Sequence, residues 1–525
     1  MSITFSYTRN DAWPRLAWVA ELRPGDGEVI VRCGSHVEAT ESWFCEAVWD
    51  GDFADGDFDL TDIVAGTGAR IRDGKVTFVS SASLQDRLQY LQCDDKVLVS
   101  NSLSAIVALS GVDVDPTNHS YPKIFGTIGL GLGNYDDLLP TTNGDIRFVY
   151  YENLCWDGHE IGVQPKPRRD RDFSSYDRYV AFLQAAVRRV VGNAVDGARA
   201  SPFTPYASLS SGYDSPTVAV LAADAGVTQA ITLGADRDGA DDSGEKIGEL
   251  LGYDVTVYER AAWRRLDMPE VDCIAACGNA AEVSFAAMAE QLRGGVLLSG
   301  FWGGKAWRRN QDELRPIYVG NDGAGMCFTE MRLGIGFINC AVPYWGGMQV
   351  ADIVRISQSP EMSEWSVSGD YDRPICRRML ESAGIPREWF GQRKQGVSEH
   401  VLGAERFMSD KSAGDYESWI RQHSGAWLRK WRFPPSPVLG RLLDRVLVSA
   451  VAPFGRRVLV PGMRRMAGVP GFGFVDPWVR ATRRKLLRMT TEPLHYRRYT
   501  YPWALARSKQ KYLGPGSVEI ASGAR

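Results

Sequence analysis

Short segments in which apolar and polar residues alternate fill the first third of the chain. The clearest are Glu28 to Arg32, Lys75 to Ser80 and Lys96 to Ser100, which are separated by turns rich in Gly and Asp. Because successive side chains of a strand face opposite sides of a sheet, this pattern predicts an antiparallel sheet domain over residues 1–165. One helix is predicted within it, from Ser104 to Leu109.

The pattern changes after the segment Gln164 to Asp172, which combines two prolines with six charges and is predicted to be a surface linker. From residue 173 onward, helices and strands alternate. The predicted strands are Phe203 to Leu209, Gln229 to Leu233, Asp254 to Tyr258 and Gly295 to Ser299, and the predicted helices are Tyr176 to Val195, Ser215 to Ala225, Asp242 to Gly252 and Ala280 to Gln291. Ser215 and Asn279 are the expected N-caps of the second and fourth helices. This order predicts a doubly wound α/β domain with a parallel sheet over residues 173–400.

Residues 401–525 are rich in Arg and Pro and show helical periodicity only in pieces, which predicts an appended helical region. Between positions 420 and 511 there are 20 Lys and Arg residues against Asp444, Asp476 and Glu492. Three interpretations of this basic region stay open: a solvated helical surface, a docking face for an acidic partner or an anionic membrane, and an RNA-binding stripe. Four tryptophans of the region are predicted to be packing residues: Trp427, Trp431, Trp478 and Trp503.

The whole chain of 525 residues has a formal net charge of -4, which argues against a protein that mainly coats nucleic acid. Its nine cysteines form no C-x-x-C pair, so a reduced, cytoplasmic location is expected, with Cys273 and Cys277 as buried thiols rather than metal ligands. No apolar run reaches the roughly 18 to 20 residues that span a bilayer. A soluble protein is therefore expected.

The turn from Ser208 to Ser215 joins the end of a predicted strand to the start of a predicted helix. Free N–H groups and the helix dipole favour an anion at such a turn. An acidic residue beside a bound phosphate would repel it unless a cation is bound as well. Asp214 is therefore predicted to hold Mg²⁺. The alternative is a Ser-rich connection in which Asp214 simply interacts with the helix dipole.

The segment Ser210 to Ser215 (SSGYDS) resembles the S-G-G-x-D-S loop of the asparagine synthetase family and its ATP-pyrophosphatase relatives. Two further segments match in family order. Gly295 to Gly300 (GVLLSG) resembles the strand before the family's second acidic loop, and Ile385 to Gly396 (IPREWFGQRKQG) resembles its lysine-containing signature. The resemblance covers residues 175–400 well and residues 1–165 faintly.

The resemblance implies an ATP site and a catalytic lysine. The residues it places at the pyrophosphate, the metal or the adenosine are Ser208, Ser210, Ser211, Gly212, Asp214, Ser215, Leu233, Gly234 and Gly300. Lys394 would stabilise the charge that develops when an amine attacks the acyl-adenylate, and Asp214 would support the adenylation step.

Several positions depart from the family pattern. The second acidic loop reads Phe301 to Lys305 (FWGGK), with Gly304 at the usual aspartate, and Asn339 to Gly346 (NCAVPYWG) lacks the acid expected near the amine. Arg373 and Arg377 fall where the family has K-x-x-L-R.

Ser2 replaces the cysteine nucleophile of glutamine-dependent members, so no glutaminase activity is expected. The first domain is then similar to the degenerate Ntn-hydrolase-like α+β sandwich of β-lactam synthetase and lasso-peptide macrolactam synthetases.

The resulting hypothesis is an AMP-forming amide ligase that uses ATP and Mg²⁺ to join a carboxylate and an amine carried by a small molecule or a peptide. A non-catalytic homologue that binds a nucleotide or a partner is the first alternative, and an RNA-modifying ATP-pyrophosphatase is the second. Nucleic acid is not the expected partner, and a homodimer stays open.

Overall fold

The computed structural model describes residues 3–236, 239–310, 324–367, 369–393, 399, 408–436, 438–439, 442, 446, 454, 458–467 and 498–514. These residues form a mixed α/β structure with three sheets, one of which is entirely parallel. Across the described ranges, none of the helices has the length and apolar content needed to cross a membrane.

Two sheets make up the first third of the chain. Their strands are β1 Thr4–Arg9, β2 Trp18–Leu22, β3 Glu28–Cys33, β4 Glu38–Ala39, β5 Trp43–Trp49, β6 Val64–Arg72, β7 Lys75–Val79, β8 Leu88–Gln92, β9 Val97–Ser100, β10 Leu138–Pro140, β11 Asp145–Val149, β12 Asn153–Trp156 and β13 Ile161–Gln164. A seven-stranded sheet has the order β1-β3-β2-β9-β8-β11-β10, and a six-stranded sheet has the order β13-β12-β7-β6-β5-β4. The predicted alternating segments are confirmed as β3, β7 and β9. The sheets are antiparallel except that β1 pairs with β3 in parallel.

The two sheets share a hydrophobic cluster of their own. Trp18 of β2 packs edge-on against Phe44 of β5, with ring centroids 5.1 Å apart, and lies over Phe78 of β7 at 6.0 Å. All three side chains are buried. The residues that alternate along these strands therefore build the inside of a sandwich.

The third sheet contains the predicted parallel strands. Its strands are β14 Thr204–Leu209, β15 Gln229–Leu233, β16 Asp254–Tyr258, β17 Gly295–Ser299 and β18 Ile338–Ala341, in the order β16-β15-β14-β17-β18. The predictions for β15, β16 and β17 are confirmed at both ends, and β14 begins one residue later than predicted. β18 was not predicted. It is short and lies at the sheet edge next to β17.

Helices connect and flank the sheets. They are α1 Leu103–Ser110, α2 Tyr121–Gly126, α3 Tyr176–Ala194, α4 Asp214–Asp224, α5 Glu245–Leu250, α6 Glu270–Cys277, α7 Ala289–Leu292, α8 Gly303–Ala306, α9 Phe328–Ile335, α10 Val350–Gln358, α11 Pro374–Ser382, α12 Asp410–Gln422, α13 Ser424–Arg429, α14 Val460–Ala467 and α15 Thr500–Ser508. The helical character of the described parts of the last region is thereby confirmed. Cys273 and Cys277 lie on α6 and are buried, as predicted.

Three predicted helix starts are wrong, and one of them is that of α5, which begins at Glu245 instead of Asp242. α4 begins at Asp214 with Tyr213 as its N-cap, so Ser215 lies inside the helix. The helix expected to start at Ala280 is instead a 3-10 helix, Val283–Met288, followed by the short α7. Asn279 does accept a hydrogen bond from the N–H of Ala281 at 3.0 Å, but this closes a turn before the 3-10 helix.

The segment predicted to be a surface linker is anchored in the protein. Lys166 is buried, and its Nζ donates to the carbonyl of Ser80 and to Oδ1 of Asn153, both at 2.8 Å. Burial lowers the pKa of Lys166 to about 7. Arg171 pairs with Asp62 at 2.6 Å. Most of the segment is exposed, as predicted, and Lys166 and Arg171 anchor it to the sandwich.

A buried ionic network joins the sandwich to the parallel sheet region. Arg332 of α9 pairs with Glu46 of β5 at 2.7 Å and, through Nε, with Asp86 at 2.8 Å, and all three residues are buried. Next to it, Glu330 of α9 accepts hydrogen bonds from the hydroxyl of Ser102 and the N–H of Ser104 at the start of α1. These contacts fix α9, and with it the neighbouring β18, against the sandwich.

Replacement of Arg332 by Met should destabilise the protein by about 3–5 kcal/mol, because Glu46 and Asp86 would be left buried without their cation. Denaturant unfolding followed by circular dichroism measures the change in the free energy of unfolding. Arg355→Met is the matched control, since Arg355 pairs with Asp352 on the surface and should change stability by less than about 0.5 kcal/mol. Equal stability of the two variants would contradict the role given to the network.

Candidate active site

A cavity of about 320 Å³ opens at the carboxyl ends of β14, β15 and β17. β14 is paired with β15 on one side and with β17 on the other, so the strand order reverses at this point. Connections that leave two neighbouring strands toward opposite faces open a crevice between them, where α/β proteins bind ligands. Seven of the predicted site residues line the cavity: Ser208, Ser210, Gly212, Asp214, Ser215, Leu233 and Gly300.

The loop after β14 presents polar groups to this cavity. The N–H of Gly212 donates to the hydroxyl of Ser210 at 3.2 Å, which holds the turn closed. The Oγ of Ser208 is buried and has no hydrogen-bond partner among the described residues. Because Ser208 also lines the cavity, its hydroxyl is available to a bound ligand.

Ser211 supports the loop instead of lining the cavity. Its N–H and hydroxyl both donate to Oδ1 of Asp242, at 3.0 and 2.7 Å. Burial raises the pKa of Asp242, and the two hydrogen bonds from Ser211 oppose that rise. Asp242 lies before α5, which begins at Glu245, and so it was wrongly predicted to start the helix. Its contact with Ser211 connects the loops that follow β14 and β15.

Two glycines allow the loop after β17 to lie directly on the loop after β14. A Cβ added to Gly300 would stand 2.5 Å from the carbonyl carbon of Asp214, and one added to Gly303 would stand 2.7 Å from its carboxyl carbon. Between them, Trp302 has a φ of 70° and stacks on Tyr344 with ring centroids 4.8 Å apart. A bulky residue in the left-handed region is strained, so this loop is held in its conformation by the contacts around it.

Asp214, the predicted metal ligand, forms an ion pair with Arg373 at the start of α11. Arg373 is buried, and although burial lowers its pKa, the Asp214 carboxylate outweighs this effect and raises it. A Cβ on Gly304 would approach Nη2 of Arg373 to 3.0 Å. Because Gly304 has no side chain, the space beside this guanidinium stays open.

The described lining is more basic than acidic. Arg260, Lys305, Arg308 and Arg373 line the cavity, against the carboxylates of Asp214 and Asp242. Arg260 is held by Glu399 at 2.7 Å. A cavity with this excess of positive groups, next to a helix N-terminus, favours a ligand with several negative charges.

Apolar side chains, here called the apolar wall, also line the cavity. They are Ile231, Leu233, Phe285, Met288 and Phe301. Gly234, which was predicted beside Leu233 in the site, does not line the cavity; a Cβ there would stand 3.3 Å from Cγ1 of Val257. The cavity therefore offers contacts for a planar apolar group as well as for an anion.

A chain of hydrogen bonds leads from the cavity into the sandwich. The hydroxyl of Ser299, at the end of β17, donates to Oδ1 of Asn339 at 2.8 Å. Nδ2 of Asn339 donates to Oε1 of Gln85 at 2.7 Å, and Nε2 of Gln85 donates to the carbonyl of Ala324 at 3.0 Å. Ser299 and Ala324 both line the cavity. Asn339 thus connects the cavity to the sandwich.

Lys394 and Ser2 lie outside the described residues. The described residues before Lys394 contact the loop after β14: the N–H of Gly391 donates to the carbonyl of Ser211 at 2.8 Å. Arg393 pairs with Asp236 at 2.6 Å, beyond the end of β15. Asp236 is therefore engaged by an arginine.

Sequence reasoning missed several lining residues, among them Arg260, Phe285, Met288, Arg308 and Tyr371. A signal in the sequence could have identified Arg260. Arg260 follows the carboxyl end of β16 by two residues, at the sheet edge where ligands bind in parallel α/β folds.

The residues at the cavity fit a magnesium ion that binds together with a nucleotide. They fit a metal site built from protein side chains alone less well. No cluster of three or more His, Cys, Asp or Glu side chains suited to a metal occurs within the described ranges. Mg²⁺ is commonly held by one or two carboxylates together with substrate phosphates. Asp214 supplies one such carboxylate at the cavity.

The chain matches no model of a known protein family, and a search of curated proteins finds no match.

Replacement of Gly300 by Ala should weaken ATP binding by about tenfold or more, the scale of one lost charge-assisted hydrogen bond, because the new Cβ would force the loop away from Asp214. Titration calorimetry with ATP measures the change. Gly192→Ala, on the exposed side of α3 and with open space around its Cα, is the control and should bind as the wild type does. Normal ATP affinity in Gly300→Ala would show that this contact does not shape the site.

Proposed function

We propose that this protein uses ATP to activate a carboxylate as an acyl-adenylate and then joins it to an amine, in the manner of the asparagine synthetase family. The observation that carries the proposal is the loop from Ser208 to Ser215, which lines a basic cavity at the point where the strand order reverses. This placement is where α/β proteins bind nucleotides. The resemblance in sequence and the position in the fold support the same site.

The loop after β14 and the basic side chains of the cavity would hold the pyrophosphate part of ATP. Ser208 Oγ lacks a partner among the described residues, and the N-terminus of α4 directs its first N–H groups toward the same space. Lys305, Arg308 and Arg373 add positive side chains there. These donors would stabilise the charge that develops on pyrophosphate as it leaves.

The apolar wall would hold the adenosine. Leu233 and Ile231 at the end of β15 line the cavity together with Phe285 and Met288 of the 3-10 helix. The base would rest among these side chains, and the α-phosphate would lie near the loop after β17. A carboxylate attacking this phosphorus forms the acyl-adenylate and releases pyrophosphate.

Asp214 would hold the magnesium ion that accompanies ATP, and the bound cation would supply further neutralisation of the phosphates. In the structure, Arg373 forms an ion pair with this carboxylate. A ligand phosphate offers the guanidinium an alternative partner, since Arg binds carboxylate and phosphate with similar geometry. Arg373 is therefore proposed to bind phosphate when ATP enters.

Lys394 is proposed to stabilise the second step, in which the amine displaces AMP. Its support is the sequence motif together with the described residues before it, since Gly391 contacts the carbonyl of Ser211 and Arg393 contacts Asp236. These contacts tie Gly391 to the loop after β14 and Arg393 to the residues after β15. The sandwich is proposed to be a degenerate Ntn-hydrolase-like domain that supports the site through Gln85, without glutaminase activity.

The second candidate is a homologue that binds a nucleotide without turnover. The pairing of Asp214 with Arg373 favours it, because a carboxylate already bound to an arginine is less available to a metal. ATP binding without AMP formation, under any combination of acid and amine, would establish this candidate.

The variants Asp214→Asn and Lys394→Ala should separate the two chemical steps. Asp214→Asn should lower carboxylate-dependent AMP formation by about a hundredfold or more, because the loop loses its charged group. Lys394→Ala should retain AMP formation and lose amide formation on a similar scale. Chromatographic measurement of AMP and of the amide, over a panel of amino acids and small carboxylic acids with mixed amines, checks both.

Two surface variants are the matched controls. Asp224→Asn changes an acid at the other end of α4 that pairs with Arg188, and Lys411→Ala changes a lysine that pairs with Asp267. Both should behave as the wild type. Equal loss of AMP and amide in Lys394→Ala would contradict the role proposed for that lysine.

A further inference from the structure

Exposed apolar side chains are concentrated in one stretch of the basic region. Of the seventeen large apolar side chains found exposed among the described residues, ten lie between Leu428 and Leu459. The most exposed are Trp431 at 98% and Phe433 at 93%. The prediction that Trp431 is a packing residue is therefore wrong, whereas Trp427 and Trp503 are buried as predicted; Trp478 lies outside the described residues.

Trp431 occupies a position where the fold favours glycine. Helix α13 ends in a Schellman motif: the N–H of Trp431 donates to the carbonyl of Leu428 at 3.0 Å, and the N–H of Arg432 donates to that of Trp427 at 2.8 Å. Trp431 has a φ of 55°, in the left-handed region that glycine adopts without strain. Folding alone thus gives no reason for a tryptophan here.

The residues on either side of Trp431 are tied to the sandwich domain. Lys430 forms an ion pair with Asp115, and Nη1 of Arg432 donates to the carbonyl of Thr117 at 3.1 Å. These two anchors hold the chain so that Trp431 and Phe433 point into solvent. The exposed pair is therefore displayed by a fixed segment of chain.

The same stretch carries strong positive charge. Residues 428–467 contain nine Lys and Arg residues and a single acid, Asp444. The described part continues with exposed apolar positions at Val438, Leu439, Leu442, Val446, Phe454, Val458 and Leu459. Apolar side chains that emerge among arginines are typical of a segment that lies in a membrane interface.

We propose that residues 428–436, here called the basic apolar surface, bind the surface of an anionic phospholipid bilayer, with Trp431 and Phe433 inserted among the headgroups. Tryptophan is enriched at the headgroup level of membranes because its ring has an apolar body and a polar N–H. The arginines would be attracted to the negative lipids, each adding to the binding. An acidic protein would match the charge but would not account for the rigid display of two large aromatic rings.

The full-length protein should float with vesicles made of an equimolar mixture of phosphatidylglycerol and phosphatidylcholine, and not with vesicles of phosphatidylcholine alone. The double variant Trp431→Gly/Phe433→Ser should bind the anionic vesicles about tenfold or more weakly, because two inserted side chains are lost. Its thermal stability should equal or exceed that of the wild type, since glycine relieves the left-handed conformation at 431. Leu130→Ser/Val163→Ser, which removes two exposed apolar side chains of the first domain, should bind as the wild type does.

Two results would overturn the proposal. One is the absence of flotation of the folded wild type with anionic vesicles. The other is equal flotation of the wild type and the Trp431→Gly/Phe433→Ser variant. If, without lipid binding, light scattering shows a dimer that this variant dissociates, the surface serves a second copy of the chain instead.

Discussion

The parallel pairing of β14 with β17 is the constraint on which the site depends. The register places Thr204 opposite Gly295 and Ala207 opposite Leu298, so the two strands end side by side and their following loops must share one small space. Glycine at 300 and 303 makes this possible, since a Cβ at either position would collide with Asp214. The conformation of the loop from Ser208 to Ser215, the ion pair of Asp214 and the strained Trp302 all follow from this close approach.

The sandwich contributes to the same arrangement from a distance. Arg332, buried with Glu46 and Asp86, fixes α9 and thereby the neighbouring β18. Asn339 of β18 accepts a hydrogen bond from Ser299 at the cavity and donates one to Gln85 of the sandwich. The first domain therefore supports the cavity through buried polar contacts, which hold their positions only when every partner is present.

The local sequence pattern was sufficient to predict the parallel strands. Most of the features that it did not predict depend on contacts between residues far apart in the chain. Gln229 to Leu233 and Gly295 to Ser299 are short apolar runs bounded by turn residues, so their ends could be read from the sequence. The partner of Asp214 lies 159 positions further along the chain, and nothing near Asp214 points to Arg373. Lys166 is buried by contacts with Ser80 and Asn153 that composition cannot indicate. The loop from Ser208 to Ser215 was found because its chemistry is contained in one turn.

The most direct measurement is the exchange of labelled pyrophosphate into ATP by the wild-type protein in the presence of magnesium and single carboxylic acids. Reversible formation of an acyl-adenylate predicts exchange that depends on one acid and needs no amine. Tight ATP binding without exchange, across all acids offered, would contradict the adenylating activity on which the account depends.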